Sequence, residues 1–109
     1  MELKEVLVSI ENIDKAAENL KGVAMRTPLQ LNLALSDKYG CEVYLKREDL
    51  QLVRSYKIRG AYNKIQSLSQ DILDKGVICA SAGNHAQGFA FSCNLLGIHG
   101  KVYMPTTTP

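Results

Sequence analysis

The apolar run Val77–Ala80 is followed at once by the octet SAGNHAQG and then by a helical stripe, and this succession constrains the chain more than any other feature. A fully apolar run bounded by Gly76 and Ser81 predicts a strand buried on both faces of a parallel sheet. Beyond the octet, Ala86, Phe89, Ala90, Cys93 and Leu96 share one face of a helix over His85–Leu96 that Gly97 ends. A last strand is predicted near Lys101–Met104. Upstream, Ile58, Ala61, Tyr62, Ile65 and Leu68 predict a helix from Tyr56 to Leu68 with Ser55 as its cap, and Ser69–Gly76 reads as a short helical turn. Val43 and Leu45 alternate with polar neighbours in a strand over Glu42–Lys46. The order strand, helix, strand, helix, strand predicts an α/β fold, an open and mostly parallel sheet with flanking helices.

The leading residues add a first helix, in which Ile10, Ile13, Ala17 and Leu20 recur between a cap at Ser9 and a stop at Gly22. Glu11, Asp14, Lys15 and Glu18 form its solvated face. Pro28 holds Arg26 and Thr27 extended, and Asn32 caps a short helix ending near Gly40. No closing helix follows the last strand, which leaves one sheet edge and one face uncovered.

Composition narrows the function classes. The 109 residues are enough for one ordinary domain, and the 46% hydrophobic and 22% charged fractions are those of globular chains. The longest apolar run is the four residues of Val77–Ala80, against about 20 for a membrane span. Glu2, Glu5, Glu11 and Asp14 at the start fit neither a secretory signal nor a transit peptide, which predicts a cytoplasmic protein. A net charge of +2 and a pI near 8.4 point to neither a nucleic-acid nor a membrane partner. Cys41, Cys79 and Cys93 are odd in number and lack a CxxC pair, and His85 and His99 stand apart, so no metal site is expected.

Chemistry concentrates in two places. Ser81–Gly88 lies at the carboxyl end of the buried strand, where open α/β sheets bind ligands; Gly83 permits a positive φ, and amides converge on the helix start as in an anion site. Phe89 and Ala90 stand where a P-loop needs Lys and Ser or Thr, which argues against a triphosphate. The same octet also serves as a plain strand-to-helix turn with Asn84 as cap. The second place is SYKIRG, where Lys57 occupies a first helical turn whose dipole opposes the ammonium form. A neutral amine condenses with carbonyls, whereas most first-turn lysines are simply solvated. Tyr56 can stack on a planar ring or merely pack. The basic residues Lys46, Arg47, Arg54, Lys57 and Arg59 are interrupted by Glu48 and Asp49, which argues against a polyanion site. An amine and an anion-holding turn one crossover apart suit an aldehyde cofactor and an amino-acid carboxylate.

The runs RTPL, VYLKREDLQ, SYKIRGAYN and ASAGNHAQG and the final MP, in this order and spacing, resemble the threonine dehydratases. These belong to the tryptophan-synthase-like (fold type II) enzymes that use pyridoxal 5'-phosphate. The resemblance covers residues 26–109, and serine dehydratases and racemases share the layout. It implies that Lys57 binds the cofactor covalently and then removes the substrate's α proton. It further implies that Tyr56 packs near the cofactor, that Asn84 hydrogen-bonds its ring hydroxyl, and that Ser81, Ala82, Gly83, Asn84 and His85 take the substrate carboxylate. The implied reaction converts threonine, or serine, to an oxo acid and ammonia, with a role in isoleucine biosynthesis and a homo-oligomeric full-length form.

On this resemblance the chain is the leading part of a fold type II fold. It would be one incomplete domain over 1–109, with a leading segment 1–54 and a lysine and asparagine-loop unit 55–109. The family's glycine-rich phosphate loop would lie in later segments, so the 109 residues alone are expected to be inactive. The alternative is a small α/β module that holds an anionic metabolite at Ser81–Gly88 without covalent chemistry.

Overall fold

The structure is a computed structural model that describes residues 8–109; the acidic start read at Glu2 and Glu5 lies outside them. Helix α1 (Ile10–Asn19) starts where the Ser9 hydroxyl accepts the Asn12 amide at 3.2 Å. Its predicted apolar face is largely open, because only the following Leu20 is buried while Ile10 and Ile13 are exposed. Strand β1 (Leu29–Leu31), helix α2 (Leu33–Tyr39) and strand β2 (Tyr44–Lys46) come next. Asn32 Oδ1 accepts the Leu35 amide at 2.9 Å and begins α2, which Gly40 ends.

The strand read over Glu42–Lys46 shortens to β2 and pairs antiparallel with β1, Gln30 opposite Leu45. It therefore does not join the parallel sheet. A three-residue β1 is too short to show a strand period in sequence, which is why that pairing was not legible.

Helix α3 (Lys57–Gln66) buries Ile58, Ala61 and Ile65, the core of the predicted face. Ser55 is not its cap. Arg54, at φ 61, closes a turn in which its amide donates to the Gln51 carbonyl at 2.8 Å. The backbone is then already helical at Tyr56, and Ser55 Oγ meets only the Lys57 amide, at 3.4 Å. A short α4 (Gln70–Leu73) leads into strand β3 (Val77–Ala80), helix α5 (Asn84–Leu96) and strand β4 (Gly100–Tyr103). β3 and β4 pair in parallel, Cys79 opposite Val102, with α5 as the crossover.

The core forms where α5 lies on this sheet. Ile65, Phe89 and Cys93 are buried together, with Leu73, Val77, Cys79, Leu96, Ile98 and Val102 packed around them. A Cβ on Gly100 would stand 2.7 Å from Cys93 Sγ and 3.0 Å from the Phe89 ring, so any larger residue in β4 would displace these core side chains. Val77–Ala80 is not buried on both faces as its composition suggests. Val77 and Cys79 are half-buried, whereas Ile78 is 71% exposed, because no helix among the described residues covers that side. No helix among the described residues is long and apolar enough to cross a membrane.

Candidate functional site

The turn after β3 is organised by Ser81. Its Oγ accepts the Gly83 amide at 3.3 Å and the Ala86 amide at 3.1 Å, so this hydroxyl, rather than Asn84, satisfies the start of α5. Asn84 is the first residue of α5 and is exposed, with its side chain free of the capping role. Gly83 has φ −153 rather than a positive value. A Cβ there would meet nothing within 4 Å, so nothing in the described chain crowds the face that the loop presents. Ala82 is exposed beside it. His85 turns elsewhere: its ring lies 6.4 Å from that of Phe89 and lines an apolar groove of about 410 Å³ with Ile78, Cys79, Ala61 and Ile65.

Lys57 is the first residue of α3 and is half-buried. Its Nζ stands 5.3 Å from the centre of the exposed Tyr56 ring, within cation–π range. Lys57 and the octet are brought together through Gly88. A Cβ at that position would lie 3.0 Å from the Lys57 carbonyl carbon and 3.1 Å from the Lys57 oxygen and the Ile58 nitrogen. A side chain there would have to push the Lys57 backbone aside by a few tenths of an ångström, because α5 presses its second turn directly on the backbone that carries the lysine. The fully buried Ser92 donates to the Gly88 carbonyl at 2.7 Å on the same face. The packing of α3 on α5 thus sets the first turn of α3 against the second turn of α5.

A third group of residues gathers around Arg59, two residues beyond Lys57, and the sequence reading assigns it no role in the site. Glu48 accepts from Arg59 Nε at 2.9 Å and Nη2 at 2.7 Å, from Thr27 Oγ1 at 2.6 Å and from Gln51 Nε2 at 3.2 Å. Gln51, 1% exposed, also holds both backbone groups of Met25, accepting its amide at 2.9 Å and donating to its carbonyl at 2.8 Å. The two-pronged Arg59 contact, helped by Thr27 and Gln51, holds the Glu48 carboxyl at about 2 and raises Arg59 in turn. The basic cluster is largely spent inside the chain, since Arg47 pairs with Asp49 and Gln30 and the Lys46 amine donates to the Thr27 carbonyl. Glu48 and Arg59 stand 11 residues apart, beyond any helical or strand period, so only the shared presence of acid and base in neighbouring motifs hinted at the pair.

Comparison with known proteins follows the same lines. Residues 20–109 match the family described as pyridoxal-phosphate dependent enzyme. The chain is 60% identical over 103 residues to L-threonine dehydratase biosynthetic IlvA of Bacillus subtilis and 59% identical over 102 residues to that of Halalkalibacterium halodurans. Each match covers 94% of this chain, which spans about a quarter of the length of these curated relatives (24% and 25%). Among solved structures, processed threonine deaminase isoform 2 from Solanum lycopersicum is 46% identical with a TM-score of 0.74. Maize serine racemase is 31% identical with a TM-score of 0.87, and each of these alignments covers 94% of this chain and 31% of the other. A family match across 20–109, on a fold that sets a first-turn lysine beside a serine-organised amide loop, leaves one assignment: the chain belongs to the pyridoxal-phosphate dependent enzymes.

Proposed function

We propose that this chain forms the lysine and asparagine-loop part of a threonine dehydratase that converts L-threonine to 2-oxobutanoate and ammonia in isoleucine biosynthesis. The observation that carries the reading is the Gly88 contact, which sets Lys57 and the Ser81–His85 loop on two packed helix starts. Similarity to the dehydratases supports it, because a 103-residue match within 109 residues necessarily spans both.

The residues fit pyridoxal phosphate by the chemistry of their donors. Lys57 makes no ion pair among the described residues, the Tyr56 ring lies open beside it, and Gly83 leaves its side of the loop uncrowded. When bound, the cofactor supplies an electron sink for the charge left at the substrate's α carbon. Lys57 would hold the cofactor through Nζ and, once released, accept the α proton there. Asn84 would donate its amide to the ring hydroxyl, and the loop of Ser81, Ala82, Gly83, Asn84 and His85 would take the substrate carboxylate through those of its amides and polar groups that stay unpaired. The division into 1–54 and 55–109, a cytoplasmic and homo-oligomeric protein, and the absence of nucleic-acid or membrane partners belong to the same proposal. So does the expectation that turnover requires a phosphate-binding loop not contained in these 109 residues.

The test has two arms. Borohydride reduction with pyridoxal phosphate, followed by peptide mass spectrometry, should mark Lys57 selectively, and Lys57→Ala should lose the mark; labelling spread over the other lysines refutes the assignment. Grafted in place of the corresponding quarter of the Bacillus subtilis enzyme, the chain should yield 2-oxobutanoate from L-threonine, and Lys57→Ala should abolish it. The serine racemase similarity supports a second substrate reading. Pyruvate from L-serine in preference to 2-oxobutanoate from threonine would favour it.

A further inference from the structure

We propose that Glu48 is a positioning residue for Lys57: gripped by Arg59, Thr27 and Gln51, its carboxylate fixes the first turn of α3 against residues 25–27 and so sets where the amine stands. This rests on the reading of Lys57 as the cofactor-holding amine. The Lys57 side chain makes no hydrogen bond among the described residues beyond its approach to the Tyr56 ring, so its placement is inherited from the backbone. That backbone is held from two sides. Behind it lies Gly88 of α5, in contact with the Lys57 carbonyl. Ahead of it Arg59, two residues along the same rigid turn, is pinned by both oxygens of Glu48 at 2.7 and 2.9 Å and also donates to the Met25 carbonyl at 3.1 Å.

The network costs desolvation. Thr27 and Gln51 are 3% and 1% exposed, and the Glu48 side chain 14%, where only seven apolar residues are buried among the described residues. Buried charge pairs are poor stabilisers relative to apolar packing, but their geometry is specific. Three polar side chains converging on one carboxylate, one of them Arg59, two residues from the reactive amine, therefore point to orientation as its role. A two-pronged guanidinium grip defines a plane and a direction, which a single ammonium contact does not.

The experiment compares the protein with Glu48→Gln, Arg59→Lys and the milder Thr27→Val, each checked by circular dichroism at a temperature where it is folded. Two quantities are read: amide hydrogen exchange of residues 57–60 relative to α5, and the rate at which Lys57 captures pyridoxal phosphate before reduction. In Glu48→Gln, exchange at 57–60 should rise about tenfold over α5 and capture should fall about tenfold. Arg59→Lys should show the same loss despite its retained charge, and Thr27→Val an intermediate one if Glu48→Gln does not fold. Exchange that rises evenly through the chain, with unchanged capture per folded molecule, overturns the proposal, since Glu48 would then only stabilise. Full capture by Arg59→Lys overturns it equally. Should the unmutated protein be marked on other lysines, the reading of Lys57 fails, while exchange at 57–60 still decides whether Glu48 holds that turn.

Discussion

Two glycines in the helices around the site should respond to alanine with opposite signs. Gly60 lies in α3 and a Cβ there meets nothing within 4 Å; Gly88 lies in α5 and a Cβ there meets three backbone atoms of Lys57 and Ile58 at 3.0–3.1 Å. Alanine in a helix interior gains about 1 kcal/mol over glycine from backbone entropy, so Gly60→Ala should stabilise by about 0.5–1 kcal/mol. Gly88→Ala receives the same gain but must push α5 away from α3, because backbone atoms cannot rotate aside. Overpacking of this kind costs about 1–3 kcal/mol, and it spreads two helices that meet backbone to backbone at this point. The net expectation is a loss of about 1 kcal/mol, and a gap of about 2 kcal/mol between the variants. Urea unfolding followed by circular dichroism resolves that gap readily. If Gly88→Ala is as stable as Gly60→Ala, the close approach of α5 to the Lys57 backbone is wrong, and with it the geometry that joins the lysine to the loop.

Glu48 gives a pH signature. Its folded value of about 2 lies below an ordinary 4.5, chiefly through the Arg59 hydrogen bonds, so its contribution is complete above about pH 5 and is lost as pH falls toward 2. At about 1.4 kcal/mol per unit the shift is worth about 3 kcal/mol; with Arg59 one-third exposed to screening, about 1–2 kcal/mol is expected. The stability difference between the protein and Glu48→Gln should thus shrink between pH 5 and 3, and a constant difference refutes the pairing. Ser81→Ala should cost about 1 kcal/mol by removing the acceptor for two loop amides, and Ser81→Thr should recover most of it; thermal unfolding of the two variants decides.

The parts of the fold that sequence made legible are those governed by local rules. Val77–Ala80 is a strand because an apolar run between Gly76 and Ser81 has no helical period, and α5 follows because Phe89, Cys93 and Leu96 recur at helical spacing. Ser9 and Asn32 cap their helices with local hydrogen bonds that the sequence already contains. The misread features depend on what lies across the fold. Burial of Ile78 depends on a covering layer that composition cannot supply, and the β1–β2 pairing depends on two three-residue segments meeting. Ser55 and Asn84 have the residue types of caps, but the turn at Arg54 and the reach of Ser81 across the loop decided otherwise.

The site divides in the same way, and the division explains what its motifs are for. Lys57 and the octet stand out in the sequence because their chemistry is intrinsic: an amine at a helix start and a glycine-bearing loop behind a strand. The residues of RTPL and KREDLQ have no comparable chemistry of their own. They act by holding: Glu48 reaches Arg59 across 11 residues of chain, Gln51 reaches Met25 across 26, and Thr27 reaches Glu48 across 21. Acid and base in adjacent motifs, scored by charge alone, read as a patch that cancels itself. Paired in space, the same charges become a bracket, and the cancellation that argued against a polyanion site is the pairing that steadies α3. A motif without reactive groups beside one that has them is therefore best read as its support, and for this chain that reading makes Glu48 the first residue to test after Lys57.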